Sequence, residues 1–437
     1  MTGNSLTFLR GPVVYVCRDM ERALGLPLST QNYFIITNSS AFAKSVAAKN
    51  RNILLIVENA PLDTRDLLAH PKTAAWLNRL PNPKILVFKN TTQIEKLCRD
   101  KGWQLLNPPA ELAKRVEEKI SQLTWLGPLQ KYLPPHKVML CKDLEWSKKK
   151  LARHRTGGSG AGYIVQFNHA HTGLGTILIN SAQSLVELKK KFPKRSVRVT
   201  DFVSGPALTN NNVVWGKHVL IGNINYQITG LAPFTKSPFT TVGNDWALPK
   251  HLMQSKQIRR FKQIATNVGK KLAKDGWRGL FGIDTILDEK TDKLYLIEIN
   301  ARQPASTTFE SQLQENKKTI KQKNNATTFE AHLAALLGLP YKKQKLIAIT
   351  DGAQIIQRIP NTEQQILNTE YRIPNHKRLA KRINGLKDCK IIEYENTTPG
   401  SDWLRIQSKA GIMAGHNKFN KLGKNIQNDT YYVITKS

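Results

Sequence analysis

The sequence predicts a mixed chain, with an α/β unit first, α+β structure after it and a small strand-rich end. Three patterns predict this. Short β-branched runs alternate with polar, helix-capable segments up to about residue 115. Paired apolar runs about glycine-rich or charged turns, the mark of hairpins, follow. Beyond Pro340 come short apolar runs divided by Pro, Asn and Gly. At roughly 100–200 residues per domain, the 437 residues should make about two to four domains.

The first unit owes its strands to Val13–Val16, Tyr33–Ile36, Ile53–Val57 and Lys84–Phe88, and its alternation is that of a parallel sheet. No GxGxxG follows a strand, so a dinucleotide site is not expected. Glu111 to Gln130 predicts a helix, broken at Pro134-Pro135. The tract Thr156–Gly162 follows a basic run, Lys148–Arg155, rather than a strand, and is expected to be a linker. Tyr163–Phe167 and Thr176–Ile179 predict a hairpin with the tip Asn168–Gly175. Backbone N–H groups of such a tip can cradle a polyphosphate; equally, it can be an ordinary exposed loop. Between Lys250 and Asp275, Ile258, Phe261, Ile264, Ala265, Val268 and Leu272 recur at helical spacing and Gly276 stands at the C-cap. In the tail, Lys345–Thr350, Ala353–Ile356, Lys390–Tyr394 and Tyr431–Ile434 are expected strands.

Cys17, Cys98, Cys141 and Cys389 form no CxxC pair, so neither a zinc site nor a disulfide framework is signalled, and reduced thiols in a cytoplasmic protein are expected. The start of the chain lacks the pattern of an export signal, and no apolar run approaches the ~18 residues of a membrane span. A net charge of +34, from 66 Lys+Arg against 32 Asp+Glu, would attract polyanions such as nucleic acid, acidic lipid or nucleotide. A solvated basic surface explains the same number.

Chemistry concentrates between Gly279 and Arg302. Two apolar runs flank the polar turn Asp288–Lys293. Centring the turn on Thr291 places Leu294 opposite Asp288, Leu296 opposite Ile286 and Glu298 opposite Asp284. Alternation then puts Glu298, Asn300 and Arg302 on one face, with Ile297 and Ile299 in the core. Opposed carboxylates repel, so the arrangement makes sense with a cation between them. Carboxylate and amide oxygens without Cys or His favour Mg²⁺. The alternative is a half-exposed hairpin whose acids are merely solvated.

Phe281-Gly-Ile-Asp284 followed by Leu296-Ile-Glu298-Ile-Asn300-Ala-Arg302 resembles the metal-binding region of the ATP-grasp superfamily, and the likeness covers about residues 110 to 335. It implies a Rossmann-like pre-ATP-grasp domain at 1–115, two α+β lobes at 116–200 and 201–338 that grip ATP, and a strand-rich domain at 339–437. It further implies that Asp284, Glu298 and Asn300 hold Mg²⁺, two ions, with Mn²⁺ as a possible substitute. Arg302 would stabilise the transferring phosphoryl group or clamp the acceptor carboxylate. Lys119, Gln166 and the loop residues His171, Thr172, Gly173 and Gly175 would face the phosphates. Asp201, Phe202 and Val203, in the segment like the family's hinge, would face ribose and adenine. Two positions depart from the family. Gln166 stands where a lysine is usual, and Ala207 where an acid commonly holds the ribose.

The implied activity is an ATP- and Mg-dependent ligase that joins a small-molecule or peptide carboxylate to an amine through an acyl phosphate. The first domain, Tyr226 and Asn244-Asp245-Trp246 are similar to peptide ligases of the pheganomycin type. Thr235–Trp246 and Gln303–Thr308 would flank the acceptor. The rivals are a carboxylase using carboxyphosphate and a degenerate, basic nucleic-acid-binding protein; the latter lacks a zinc finger or aromatic-basic RNA signature.

Overall fold

The early β-branched runs become strands. The computed structural model describes residues 9–146, 162–168, 175–319, 324–359, 376–394, 396 and 399–435. In it β1 (Val13–Val16), β2 (Tyr33–Asn38), β3 (Ile53–Ile56), β4 (Lys84–Val87) and a short β5 (Gln104–Leu105) form a parallel sheet in the order β3-β2-β1-β4-β5. Helices α1 (Ala41–Ala47), α2 (Thr64–Ala69), α3 (Pro71–Leu77) and α4 (Thr92–Asp100) connect the strands. Tyr15 and Ile35 are buried on one face of this sheet, Val14, Ile36 and Ile85 on the other, as expected of a parallel sheet covered on both sides.

The helix expected from Glu111 to Gln130 is instead interrupted. α5 (Ala110–Glu117) stops at Glu118, whose backbone is extended, and α6 (Ser121–Leu126) begins again after it. Asn168 stabilises the break: its Oδ1 accepts from Ile120 N at 2.9 Å and its Nδ2 donates to Glu118 Oε2 at 3.0 Å. Lys119 lies in the interruption.

A four-stranded sheet forms the small lobe, from β6 (His136–Leu140), β7 (Tyr163–Phe167), β8 (Thr176–Ile179) and β9 (Ser196–Asp201) in the order β6-β9-β7-β8. The expected hairpin β7–β8 pairs Tyr163 with Ile179 and Gln166 with Thr176. Val165, Phe167 and Val197 pack toward α7 (Ala182–Lys191), which leaves Gln166 and Arg198 on the opposite face.

The large lobe carries β10 (Ala207–Trp215), β11 (His218–Leu220), β12 (Asn225–Thr229), β13 (Thr241–Asp245), β14 (Gly279–Leu287) and β15 (Leu294–Asn300), with helices α8 (Pro249–Leu252) and α9 (Ser255–Lys274). Phe261, Ile264, Ala265, Val268 and Leu272 of α9 are buried, as their spacing predicts, and Gln254 and Gln257 cap its start reciprocally. Helices α10 (Thr307–Glu315) and α11 (Thr328–Leu336) follow. Two-residue strands β16 (Asn325–Ala326) and β17 (Lys345–Leu346) pair in parallel. The tail adds β18 (Ala353–Arg358), α12 (His376–Asn384), β19 (Cys389–Glu393), β20 (Asp402–Ser408) and α13 (Lys421–Thr435). β18, β20 and β19 continue the large-lobe sheet, in the order β15-β14-β10-β12-β13-β18-β20-β19, with β11 alongside β10. Tyr431–Ile434, expected to be a strand, belongs to α13, where Leu422, Ile426 and Thr430 recur every four residues.

His332 joins α11 to β14. It is 4% exposed, and its Nδ1 accepts from Leu280 N at 3.0 Å. Burial holds its pKa down at about 3. The unfolded chain therefore takes up this proton first as pH falls below ~6.5, and stability drops by about 1.4 kcal/mol per pH unit from this group. His332→Asn, whose Oδ1 can replace Nδ1 as acceptor, is expected to lose about 2 kcal/mol less than the wild type between pH 6.5 and 5 in urea unfolding. Equal losses in both proteins would contradict this assignment.

Candidate active site

The hairpin β14–β15 sets the floor of the site. Its turn is closed by Asp288 N donating to Lys293 O at 2.8 Å, while Thr291 Oγ1 donates to Asp288 Oδ2 at 2.6 Å. Asp284 pairs with Glu298, as expected, and Gly282 with Asn300. Nearer the turn the register differs from expectation: Leu296 lies opposite Thr285, not Ile286, and Leu294 opposite Leu287, not Asp288. One extra residue on β15, a bulge next to Glu298, accounts for the shift. Ile299 is core, as expected, whereas Ile297 is only partly buried and lines a cavity.

That cavity, of about 340 Å³, lies between the lobes and takes in Lys119, Gln166, Gly175, Asp201, Phe202, Val203, Asp284, Glu298, Asn300 and Arg302. His171, Thr172 and Gly173 fall outside the described residues. The size suits a small ligand. Phe202 is 39% exposed, and the hinge that carries it is fastened to the hairpin by Leu287 N donating to Pro206 O at 3.1 Å and Glu289 N to Ser204 O at 3.1 Å. Gly205, at φ +148°, is required there, since a Cβ would come within 1.9 Å of Leu287 O.

The charges of the site counterbalance one another. Burial first, and then the neighbouring Glu298, raise Asp284 to about 6. Asn300 Nδ2 donates to Asp284 Oδ2 at 3.2 Å. Burial also acts to raise Glu298, but Lys119, Arg302 and Arg198 hold it below its ordinary value. Lys119 Nζ lies 3.1 Å from Glu298 Oε1. Arg302 pairs with Glu117, which also binds Lys89 Nζ at 3.1 Å. The site thus holds two close carboxylates ringed by cations, an arrangement able to take a metal–polyphosphate complex.

Two residues of this arrangement escaped the sequence. Glu117 reads as one of many charges on an amphipathic helix. Arg198 sits opposite Gln166 on β9 and is 2% exposed, yet it lines the cavity. Burial lowers it to about 10, with Glu298 opposing, so it stays cationic at neutral pH. Its place in the alternating run Val197-Arg198-Val199-Thr200 looked like an ordinary outward position, because a cleft wall and an open surface give the same pattern. Of the expected acceptor segments, Thr241, Gly243 and Asn244 reach the cavity, as do Pro304, Ala305 and Ser306. Asp245 and Trp246 are buried away from it. The carboxylate of Asp245 accepts from the backbone N–H groups of Ala247, Leu248, Ile412 and Met413 at 2.7–2.9 Å, which is a structural task. Arg358 also lines the cavity, 3.3 Å from Asp402 Oδ1.

Residues 154–306 match the ATP-grasp domain family. No curated protein sequence matches the chain. Among solved structures, it is similar to carboxyaminoimidazole ribonucleotide synthase from Aspergillus clavatus in complex with ATP, at 13% identity over 97% of this chain and 98% of that one, with a TM-score of 0.60. Phosphoribosylamine–glycine ligase from Thermotoga maritima is 14% identical over 96% of each chain, with a TM-score of 0.58. The biotin carboxylase domain of Hydrogenobacter thermophilus 2-oxoglutarate carboxylase, in complex with MgADP, ADP and bicarbonate, is 13% identical over 92% of this chain and 86% of that one, with a TM-score of 0.59. At these identities the structural likeness speaks to the fold, and the family match, over residues 154–306, is to an ATP-grasp domain that includes the Asp284–Glu298 floor.

Proposed function

We propose that the protein uses ATP to activate a carboxylic acid as an acyl phosphate and passes the acyl group to an amine. The observation that carries this reading is the opposed pair Asp284 and Glu298 at the floor of a cavity walled by Lys119, Arg198 and Arg302. Like charges face to face are unfavourable unless a ligand answers them. Asp284, Glu298 and Asn300 offer only oxygen donors of hard character, which fits Mg²⁺, and they are the residues that would hold it. When bound, Mg²⁺ supplies charge neutralisation on the phosphates.

The chain's own groups account for the rest. Phe202 and Val203 offer an apolar edge and hinge backbone to a purine, and Asp201, which precedes them and lines the cavity, is the acid available to a ribose. Lys119 draws the phosphates toward the floor. The substrate carboxylate attacks the γ-phosphorus as ADP leaves; the amine nitrogen then attacks the acyl carbon as phosphate leaves. Arg302, steadied by Glu117, balances the charge that develops. Asn244, Ser306 and Arg358 also line the cavity and offer polar groups to the acid and the amine. The protein, incubated with Mg·ATP and a metabolite extract, is expected to release ADP and yield a product one water lighter than two inputs combined, found by mass spectrometry. ADP release without any such product would refute the amide-forming reading.

A second reading, carboxylation through carboxyphosphate, is favoured by the similarity in fold, along nearly the whole chain, to a carboxyaminoimidazole ribonucleotide synthase and to a biotin carboxylase domain bound to bicarbonate. ADP release that requires bicarbonate, with a product heavier by carbon dioxide, would establish it over the ligase.

A further inference from the structure

The sequence has an uncharged residue, Gln166, on the strand before the glycine loop, and the structure sets a buried guanidinium directly across from it. Arg198 Nε and Nη2 donate to Gln166 Oε1 at 3.0 and 2.7 Å, Nη1 donates to Gln122 Oε1 at 3.1 Å, and Nη2 also donates to Ile297 O at 3.2 Å. Ile297 is the extra residue of the β15 bulge. Gln122 is itself fully buried and fixed by Nε2 donating to Val116 O at 2.7 Å. Three separate elements therefore hold this side chain in one orientation on the wall of the cavity.

Every one of these acceptors is neutral. A buried cation normally demands a counter-charge, because removal from water costs several kcal/mol that neutral dipoles only partly restore. Glu298, the acid that acts on Arg198, is already engaged by Lys119 at 3.1 Å. Among the described residues a guanidinium so placed has no anion of its own within ion-pair distance, and the cavity it lines is where an anion can enter. Arginine also suits the place better than lysine, since it remains charged when buried and its planar fork matches phosphate oxygens.

We infer that Arg198 binds the polyphosphate of the nucleotide, supplying from β9 the charge that β7 lacks, with Gln166 and Gln122 as its positioning residues. This rests on the nucleotide reading proposed above. The wild type is compared by titration calorimetry with Arg198→Met and Arg198→Gln, using Mg·ADP, Mg·ATP and adenosine; the glutamine amide can still donate to the neighbouring acceptors if the methionine variant does not fold. A folded neutral variant is expected to bind the di- and triphosphate ~10- to 100-fold more weakly, the worth of a charged hydrogen bond. Adenosine affinity is expected to change by less than about twofold, because no phosphate is involved. The exchange Gln166→Lys with Arg198→Gln should recover most of the lost affinity. Unchanged Mg·ADP binding in a folded neutral variant overturns the inference alone, as does an equal loss for adenosine and Mg·ADP, which would mark Arg198 as structural. A wild type that binds neither Mg·ADP nor Mg·ATP overturns the nucleotide reading and this inference together.

Discussion

Asp284→Asn and Glu298→Gln are each expected to reduce ATP-dependent ADP release by on the order of 10²–10³ while leaving a folded protein. Both changes keep shape and remove one negative charge from the pair that faces across β14 and β15. Loss of a positioned electrostatic partner acts on the transition state, so turnover should fall more than nucleotide affinity. Stability should move the other way for Asp284. Its folded pKa, about 6, is raised by burial and by Glu298, so its stabilising contribution is present at low pH and is lost as pH rises through that value. Asp284→Asn escapes this loss, and the metal-free variant should melt above the wild type at pH 8 but not at pH 4. Undiminished turnover in both variants would remove the metal assignment.

Arg405→Met is expected to be the most damaging change away from the cavity, destabilising by about 3–5 kcal/mol, as when one partner of a buried ion pair is removed. Arg405 is fully buried on β20 and binds Glu21 Oε1 at 3.1 Å, Ala305 O at 3.0 Å and Asp402 Oδ2 at 2.9 Å. Asp402 also pairs with Arg22 at 2.9 Å and Arg358 at 3.3 Å. Those cations hold the Asp402 carboxyl far below the usual range in spite of its burial. One guanidinium therefore ties the first domain, the segment leaving the β14–β15 hairpin and the last strands together. Its loss leaves Glu21 buried without its cation, and adding Glu21→Gln should recover part of the deficit. Urea unfolding of the single and double variants tests this; a midpoint for Arg405→Met within error of the wild type would refute it.

Much of the site was legible because hairpin chemistry is local. The turn Asp288–Lys293 and the alternation of Leu296, Glu298 and Asn300 fix which acids meet, and that pairing survived an error in the register beyond it. The bulge itself left no trace, since an extra Ile297 among apolar residues changes no pattern that can be read along the chain. Arg198 was missed for a different reason: its meaning comes from a strand 32 positions away, where Gln166 waits for it. The long helix α9 was clear from its spacing, and α13 was not, because Tyr431–Ile434 has the β-branched and aromatic look of a strand while the helical period lies earlier, at Leu422 and Ile426. Lys119 was placed by resemblance; the interruption between α5 and α6 that presents it depends on Asn168, far along the chain.

The continuous sheet has a consequence for how this molecule can be divided. Because β18 zips onto β13 and β20 onto β18, excision of the tail after the nucleotide lobes would strip a partner from β13 and leave its backbone donors and acceptors bare. Such a fragment would carry both acids of the β14–β15 hairpin and yet offer a template for sticking to its own copies. The part of the chain that builds the cavity is in this sense not a detachable module; its far boundary is a seam that the C-terminal strands close.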